Sequence, residues 1–180
     1  ENGGLVPNTE DIVSAISEGC GFLIFAGHGS PEIWNTHWAG GPFDRNERTE
    51  GLRWFDMLQL SNAEKQPICV VGGCHNSQFN VSMVRGVKEG LEIIFPSLGH
   101  SSMWCHGYAV PETFSWRLIR NPDGGAIASM GNTGLGYGMP GKQLTTGGGD
   151  SWITIEFFKQ YGTEGQDILG DAYMQTLNSY

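Results

Sequence analysis

Two apolar runs, each emptying into a glycine-rich turn that carries a reactive side chain, constrain this chain more than any other feature. The first, residues 21–26, leads into Gly27-His28-Gly29-Ser30, and the second, residues 67–71, leads into Gly72-Gly73-Cys74-His75-Asn76. Short continuous apolar runs bounded by turn residues read as strands buried on both faces, the pattern of a parallel sheet. In open α/β sheets, sites form outside the carboxyl ends of the strands. Neighbouring strands would therefore bring His28 and Cys74 together, a cysteine nucleophile with its base.

These residue types suit that chemistry. A thiol with an ordinary pKa of about 8.5 is only a few per cent thiolate at neutral pH, and an adjacent imidazole or imidazolium raises the fraction. Glycines beside both groups let the backbone approach a substrate and aim N–H groups at a developing oxyanion. The amides of Gly29 and Cys74 are the candidate donors.

Length and charge narrow the class. At 180 residues with 39% apolar content, the chain is one domain or part of one, large enough for a real core. A net charge of −9 argues against nucleic acid or an anionic membrane as partner, and suits cationic substrates or calcium better. No apolar run approaches the roughly 20 residues of a membrane helix. The start, Glu1-Asn2-Gly3-Gly4, has neither a basic n-region nor an apolar h-region, so any export signal is expected to be removed or to lie outside this chain. Of the four cysteines, Cys20 and Cys69 read as small buried hydrophobes at or inside strands, and Cys105 lies in a loop-like stretch. Nothing resembles a disulfide framework.

Helices and strands alternate along the chain. Thr9 is placed to cap a helix whose Ile12, Val13, Ala15 and Ile16 follow helical spacing and which ends near Gly19. The His28 strand follows, then a loop over residues 30–50, then a helix over 51–60 presenting Leu52, Phe55 and Leu58. After the Cys74 strand, residues 81–94 have partial helical spacing that reads as packing. Pro111 opens a helix over 111–120, a third apolar strand covers 125–130, and helices over about 151–161 and 165–178 close the chain. This alternation predicts a parallel sheet covered by helices.

Four motifs in order, Gly27-His28-Gly29-Ser30-Pro31-Glu32-Ile33-Trp34, Gly72-Gly73-Cys74-His75-Asn76-Ser77-Gln78-Phe79, Phe114-Ser115-Trp116-Arg117 and Gly125-Ala126-Ile127-Ala128-Ser129-Met130, resemble the gingipain family of cysteine peptidases. That family belongs to a clan with caspases and legumain. The resemblance covers nearly the whole chain and implies a caspase-like three-layer α/β/α domain with a mainly parallel sheet, residues 1–180 forming a single peptidase domain. It implies His28 as general base and acid, Cys74 as the nucleophile that forms an acyl-enzyme, and an oxyanion hole from the Gly29 and Cys74 amides. It further implies peptide or protein substrates, no required cofactor, with structural calcium left open, and an extracellular or cell-surface setting. Tyr137 falls where an aromatic side chain walls the substrate pocket of the arginine-cleaving gingipains.

The chain also departs from the family pattern. Gly73 stands where alanine is usual, a change that reads as sterically harmless. Between His28 and Cys74 lie 45 residues, more than the family uses, and the surplus around residues 36–47 reads as a surface insertion on the active-site side. Only 27 residues precede His28. The family's further N-terminal strands, and the acidic residue that orients the histidine, are therefore expected on chain outside this sequence, making this a fragment whose partners include the rest of its own domain.

Competing readings are weaker. Cys74-His75, His100 and Cys105-His106 are zinc-friendly, but adjacent Cys-His pairs miss the usual ligand spacing, so no metal ligand is assigned. His37 reads as a loop histidine. Asn80-Val81-Ser82 is a glycosylation triplet that matters only in an exported chain, and Gly134-Leu135-Gly136-Tyr137-Gly138 lacks the spacing of a phosphate-binding loop. The leading expectation is a cysteine endopeptidase, the alternatives being a catalytically silent gingipain-like binding module and, further behind, a zinc-binding domain.

Overall fold

The computed structural model describes residues 8–37, 49–95, 97, 110–138 and 147–180. They fall in two compact units, Glu1–Leu135 and Gly136–Tyr180. The first opens with helix α1 (Thr9–Glu18), capped by Asn8, whose Oδ1 accepts the Asp11 amide at 2.8 Å, one residue before the expected Thr9. The helix stops at Gly19, whose φ of +87° is left-handed territory that glycine enters without strain.

Three parallel strands form the main sheet in the order β1-β5-β6: β1 (Phe22–Ala26), β5 (Ile68–Gly72) and β6 (Ala128–Gly131). The central strand β5 buries Cys69, Val70 and Val71 in succession, which is why its sequence reads as an unbroken apolar run. Strand β1 departs from the two-sided burial expected of it, because Phe25 is buried while Ile24 is 52% exposed.

The expected loop over 30–50 holds the central strand of a second, antiparallel sheet. It is built from β2 (His28–Gly29), β3 (Ile33–Asn35) and β4 (Leu52–Arg53), and it begins one residue after β1. A tight turn closes the β2–β3 hairpin, with the Ser30 amide donating to Ile33 O at 2.9 Å. The expected insertion around residues 36–47 lies, from residue 38 onward, outside the described residues.

The helix expected over 51–60 does not form. Gly51 sits at φ +74°, where an added Cβ would overlap Trp34 O, and Leu52 joins β4. The Arg53 amide then donates to Asp56 Oδ2 at 2.8 Å, starting a short 3-10 turn (Asp56–Gln59). This change of period moves Met57 and Leu60 into the core and leaves Phe55 and Leu58 exposed.

Around the sheet, Ile16, Phe25, Trp34, Leu52, Phe114 and Leu118 form the centre of one apolar core. Phe25 joins the two sheets, its ring 4.8 Å from Trp34 and 5.6 Å, edge-on, from Phe114. Cys69 is part of this core, and burial pushes its thiol pKa up. Cys20, expected to be buried, is exposed instead.

Helix α2 (Met83–Ile94) occupies the span with partial helical spacing, but Val84, Val87, Leu91 and Ile94 are exposed rather than packed. Helix α3 (Phe114–Arg120) starts after Thr113, and Glu112 accepts from Arg117 at 3.0 Å and Arg120 at 2.8 Å. Asn62 ties the approach to β5 to the approach to β6. Its Nδ2 donates to Gly125 O at 3.0 Å, and its Oδ1 accepts the Gly125 amide at 2.7 Å.

In the second unit, α4 (Gly149–Gly162) and α5 (Leu169–Asn178) pack on each other with Phe157, Ala172 and Thr176 buried. Among the described residues, no helix is long and apolar enough to cross a membrane.

Candidate active site

The register of the central strand pair sets the geometry of the site. Ala26 of β1 pairs with Gly72 of β5, so His28 and Cys74 each stand two residues beyond a paired position at the same end of the sheet. Gly27 carries the chain from one sheet into the next, and a Cβ there would lie 2.5 Å from Asn35 O. His28 is exposed and Cys74 half-buried.

The two turns touch through their glycines. A Cβ on Gly29 would overlap Asn76 Oδ1 and approach Cys74 O to 2.9 Å. One on Gly73 would overlap the same Oδ1 and lie 3.0 Å from Gly29 Cα and 3.1 Å from its nitrogen. The two expected oxyanion donors, the amides of Gly29 and Cys74, thus belong to turns in direct contact. The same crowding gives the glycine at position 73, expected to be a harmless replacement for alanine, a steric role of its own. A methyl group fits there only if the Asn76 amide moves.

Asn76, which the motif reading quoted without a role, ties the turns together. It is fully buried, and its Nδ2 donates to Ser30 O at 2.7 Å and Ile33 O at 3.1 Å, both in the hairpin that carries His28. Its backbone carbonyl accepts from the Ser115 amide at 3.0 Å and Thr113 Oγ1 at 2.6 Å. Its Oδ1, facing the two glycines, has no hydrogen-bond partner.

The chain after the nucleophile is unusual as well. His75 has φ +56°, an uncommon backbone state for a residue with a side chain, and it is buried with both ring nitrogens lacking hydrogen bonds. Its amide donates to Gly134 O at 2.7 Å, and the Ser77 amide donates to Asn132 O at 3.0 Å. These bonds fix the cysteine turn to the segment that follows β6.

His37 is the clearest residue that sequence reasoning passed over. Read as a loop histidine, it lies with its ring centroid 4.8 Å from that of His28 and the two planes at 89°. The signal was the hairpin itself. His28 pairs with Asn35, so His37 is its diagonal cross-strand neighbour, within reach of an aromatic ring.

Tyr137 is 65% exposed in the second unit, where its carbonyl accepts the Asp150 amide at 3.1 Å. No three His, Cys, Asp or Glu side chains among the described residues are grouped to hold a metal. His100, Cys105 and His106 of the zinc alternative lie outside the described residues. A cleft of about 330 Å³ lined by Phe79, Val81, Thr113 and Trp116 opens beyond the cysteine turn, and neither His28 nor Cys74 lines it.

Comparison with known proteins places this arrangement. The model of peptidase family C25 matches residues 2–180. The crystal structure of gingipain R, an Arg-specific cysteine proteinase, superposes with a TM-score of 0.59 at 15% sequence identity, over 96% of this chain and 30% of that one. The fold is therefore the caspase-like α/β fold expected from the sequence, and the chain spans about a third of the length of that solved structure. No curated protein sequence matches the chain significantly.

Proposed function

The chain belongs to peptidase family C25, and from that premise we propose that it cleaves peptide bonds with Cys74 as nucleophile and His28 as general base and acid. Supporting this reading is the register that carries β1 and β5 to the same end of the sheet, with the glycines of the two turns in contact.

In the first half-reaction, His28 takes the Cys74 thiol proton and the thiolate forms a bond to the scissile carbonyl carbon. The charge moves to the carbonyl oxygen, which in this reading accepts from the Gly29 and Cys74 amides. Collapse of this intermediate breaks the C–N bond, and His28 gives its proton to the leaving amine. Water then attacks the thioester as His28 takes one of its protons, the second product leaves as a carboxylic acid, and His28 returns the proton to the sulfur to restore the thiol. Each amide of such an oxyanion hole is worth about 100- to 1000-fold in turnover. The cycle needs no cofactor.

Protein or peptide substrates follow from the family. Tyr137 is carried forward as a substrate-facing aromatic on its place in the glycine-rich segment after β6. Because gingipain R is Arg-specific, Arg-containing reporter peptides are the first to assay.

The test compares alkylation of Cys74 by iodoacetamide, mapped by mass spectrometry, in the chain and in His28→Ala. Labelling faster than that of the exposed Cys20 at neutral pH, and slowed in the variant, is the expected result. Cys74→Ala should abolish hydrolysis by the full-length protein with its melting temperature unchanged. Alkylation indifferent to His28→Ala would overturn the proposal. A responsive thiol in a full-length protein that cleaves nothing would favour the silent-module reading.

A further inference from the structure

We propose that the cleft between the segment leaving the cysteine turn and helix α3 binds the C-terminal residue of a peptide, taking its apolar side chain and free α-carboxylate together. The cleft holds about 330 Å³, at the lower end of what ligand pockets enclose. Neither His28 nor Cys74 lines it, so it is a second site, and the inference stands whether or not Cys74 is a nucleophile.

The apolar wall is built from two sides. Phe79 and Val81 come from the segment after the cysteine turn, and Pro111 and Trp116 from the start of α3. Phe79 and Trp116 are both exposed, and two such side chains on one cleft make a patch rather than the scattered single apolar residues of an ordinary surface.

The polar lining decides which apolar group fits. Both oxygens of Glu112 are already taken, Oε1 by Arg117 at 3.0 Å and Oε2 by Arg120 at 2.8 Å. Thr113 commits its hydroxyl to Asn76 O at 2.6 Å. Donors remain. Arg120 gives one N–H to Glu112 with its side chain 60% exposed, and its other guanidinium N–H groups have no partner among the described residues. Two guanidiniums against one carboxylate leave a positive charge in excess at this cleft. The net charge of −9 is spread over the chain, and beyond the Debye length of about 8 Å at physiological salt it is screened.

A cleft with donors to spare, its acceptors used and an apolar wall takes a ligand that is apolar and anionic at once. The planar fork of arginine matches a carboxylate bidentately. In an extended peptide, neighbouring side chains point to opposite faces, so an internal acidic residue and the apolar residue beside it do not enter one cleft together. A C-terminal residue carries both groups on the same carbon.

The test titrates the chain, bearing Cys74→Ala so that nothing is cleaved, by calorimetry with acetyl-glycyl-glycyl-phenylalanine. Its C-terminal amide and the internal-acid peptide acetyl-glycyl-aspartyl-phenylalanine amide serve as comparisons. The free acid should bind, and amidation should weaken it by about 10- to 100-fold, the worth of a charge-assisted hydrogen bond. Arg120→Gln should weaken the free acid by a similar factor and leave the amide unchanged, whereas Trp116→Ala should weaken both, with melting temperatures showing that each variant is folded. Equal binding of acid and amide, or free-acid binding unmoved by Arg120→Gln, would overturn the inference, as would a free acid that does not bind in the millimolar range. An internal-acid peptide that binds as well as the free acid would overturn the C-terminal assignment. Each of these failures leaves the peptidase proposal untouched.

Discussion

Replacing Asn76 with aspartate and with alanine separates the two things this side chain does. Both changes delete the Nδ2 hydrogen bonds to Ser30 O at 2.7 Å and Ile33 O at 3.1 Å. At about 0.5–1.5 kcal/mol each, that loss is about 1–3 kcal/mol. Neither carbonyl is orphaned, because the Ser30 and Ile33 backbones also bond to each other at 2.9 and 3.3 Å. Alanine additionally removes the unpartnered Oδ1, which relieves a penalty of comparable size, about 1–3 kcal/mol. Asn76→Ala should therefore be near neutral, within about 2 kcal/mol of the parent in either direction.

Asn76→Asp keeps the shape and reverses the balance. It turns a carboxylate oxygen toward two carbonyl oxygens in a fully buried site, and an uncompensated buried charge costs about 3–5 kcal/mol. For a chain of this size, that is a fall in melting temperature on the order of 10 °C. Burial raises the pKa of the new carboxyl in the folded state, so the native state binds its proton more tightly than the unfolded one does. The deficit should be absent below the unfolded pKa of about 3.9 and should grow as pH rises toward the folded value. Thermal melts between about pH 4 and 7, with Cys74 alkylation alongside, read both effects. An Asn76→Asp variant as stable as Asn76→Ala at neutral pH would refute the assignment of the amide orientation.

The same crowding predicts coupling between Gly73 and Asn76. Gly73→Ala alone should destabilise the chain and slow Cys74 alkylation, while Gly73→Ala combined with Asn76→Ala should lose less than the sum of the two, because the added methyl group then has room; strict additivity in a double-mutant cycle would contradict this. Burial of the Cys69 thiol predicts alkaline sensitivity. Its pKa is raised in the folded state, so its contribution is intact below the ordinary thiol pKa of about 8.5 and falls by about 1.4 kcal/mol per pH unit above it. Denaturant melts at rising pH should show that decline, and Cys69→Ala should flatten it.

The site was most legible where local sequence determines geometry. Apolar runs ending in glycine turns marked two neighbouring parallel strands, and the structure pairs them and brings the His28 and Cys74 turns to the same end of the sheet. The ends of α1 were readable to within a residue because Asn8 and Gly19 act through local backbone rules. Long-range polar pegs were not. Asn62 reaches Gly125 across 63 residues and Asn76 reaches Ser30 across 46, and no periodicity announces such partners. The misread helix over 51–60 fails for a related reason. Its apolar spacing suits a helix, but Gly51 at positive φ and the cross-strand pull on Leu52 override it. His37 was hidden because its neighbour depends on a hairpin whose turn, Ser30-Pro31-Glu32-Ile33, carries none of the usual hairpin dipeptides.

The start of helix α3 gives the site a mechanical dependence that no residue near the sulfur reveals. Its first two amides, on Phe114 and Ser115, are taken by Pro31 O at 2.7 Å and Asn76 O at 3.0 Å, one from each turn. A helix needs acceptors for those leading amides, and here the two turns supply them. Fraying of the helix and separation of the turns are then a single opening event, in which the turns and the helix end share one local stability. Substitutions on the buried face of α3, such as at Leu118, can disarm the thiol without approaching it, and the slow exchange of two helix amides becomes a clock for how often the site comes apart.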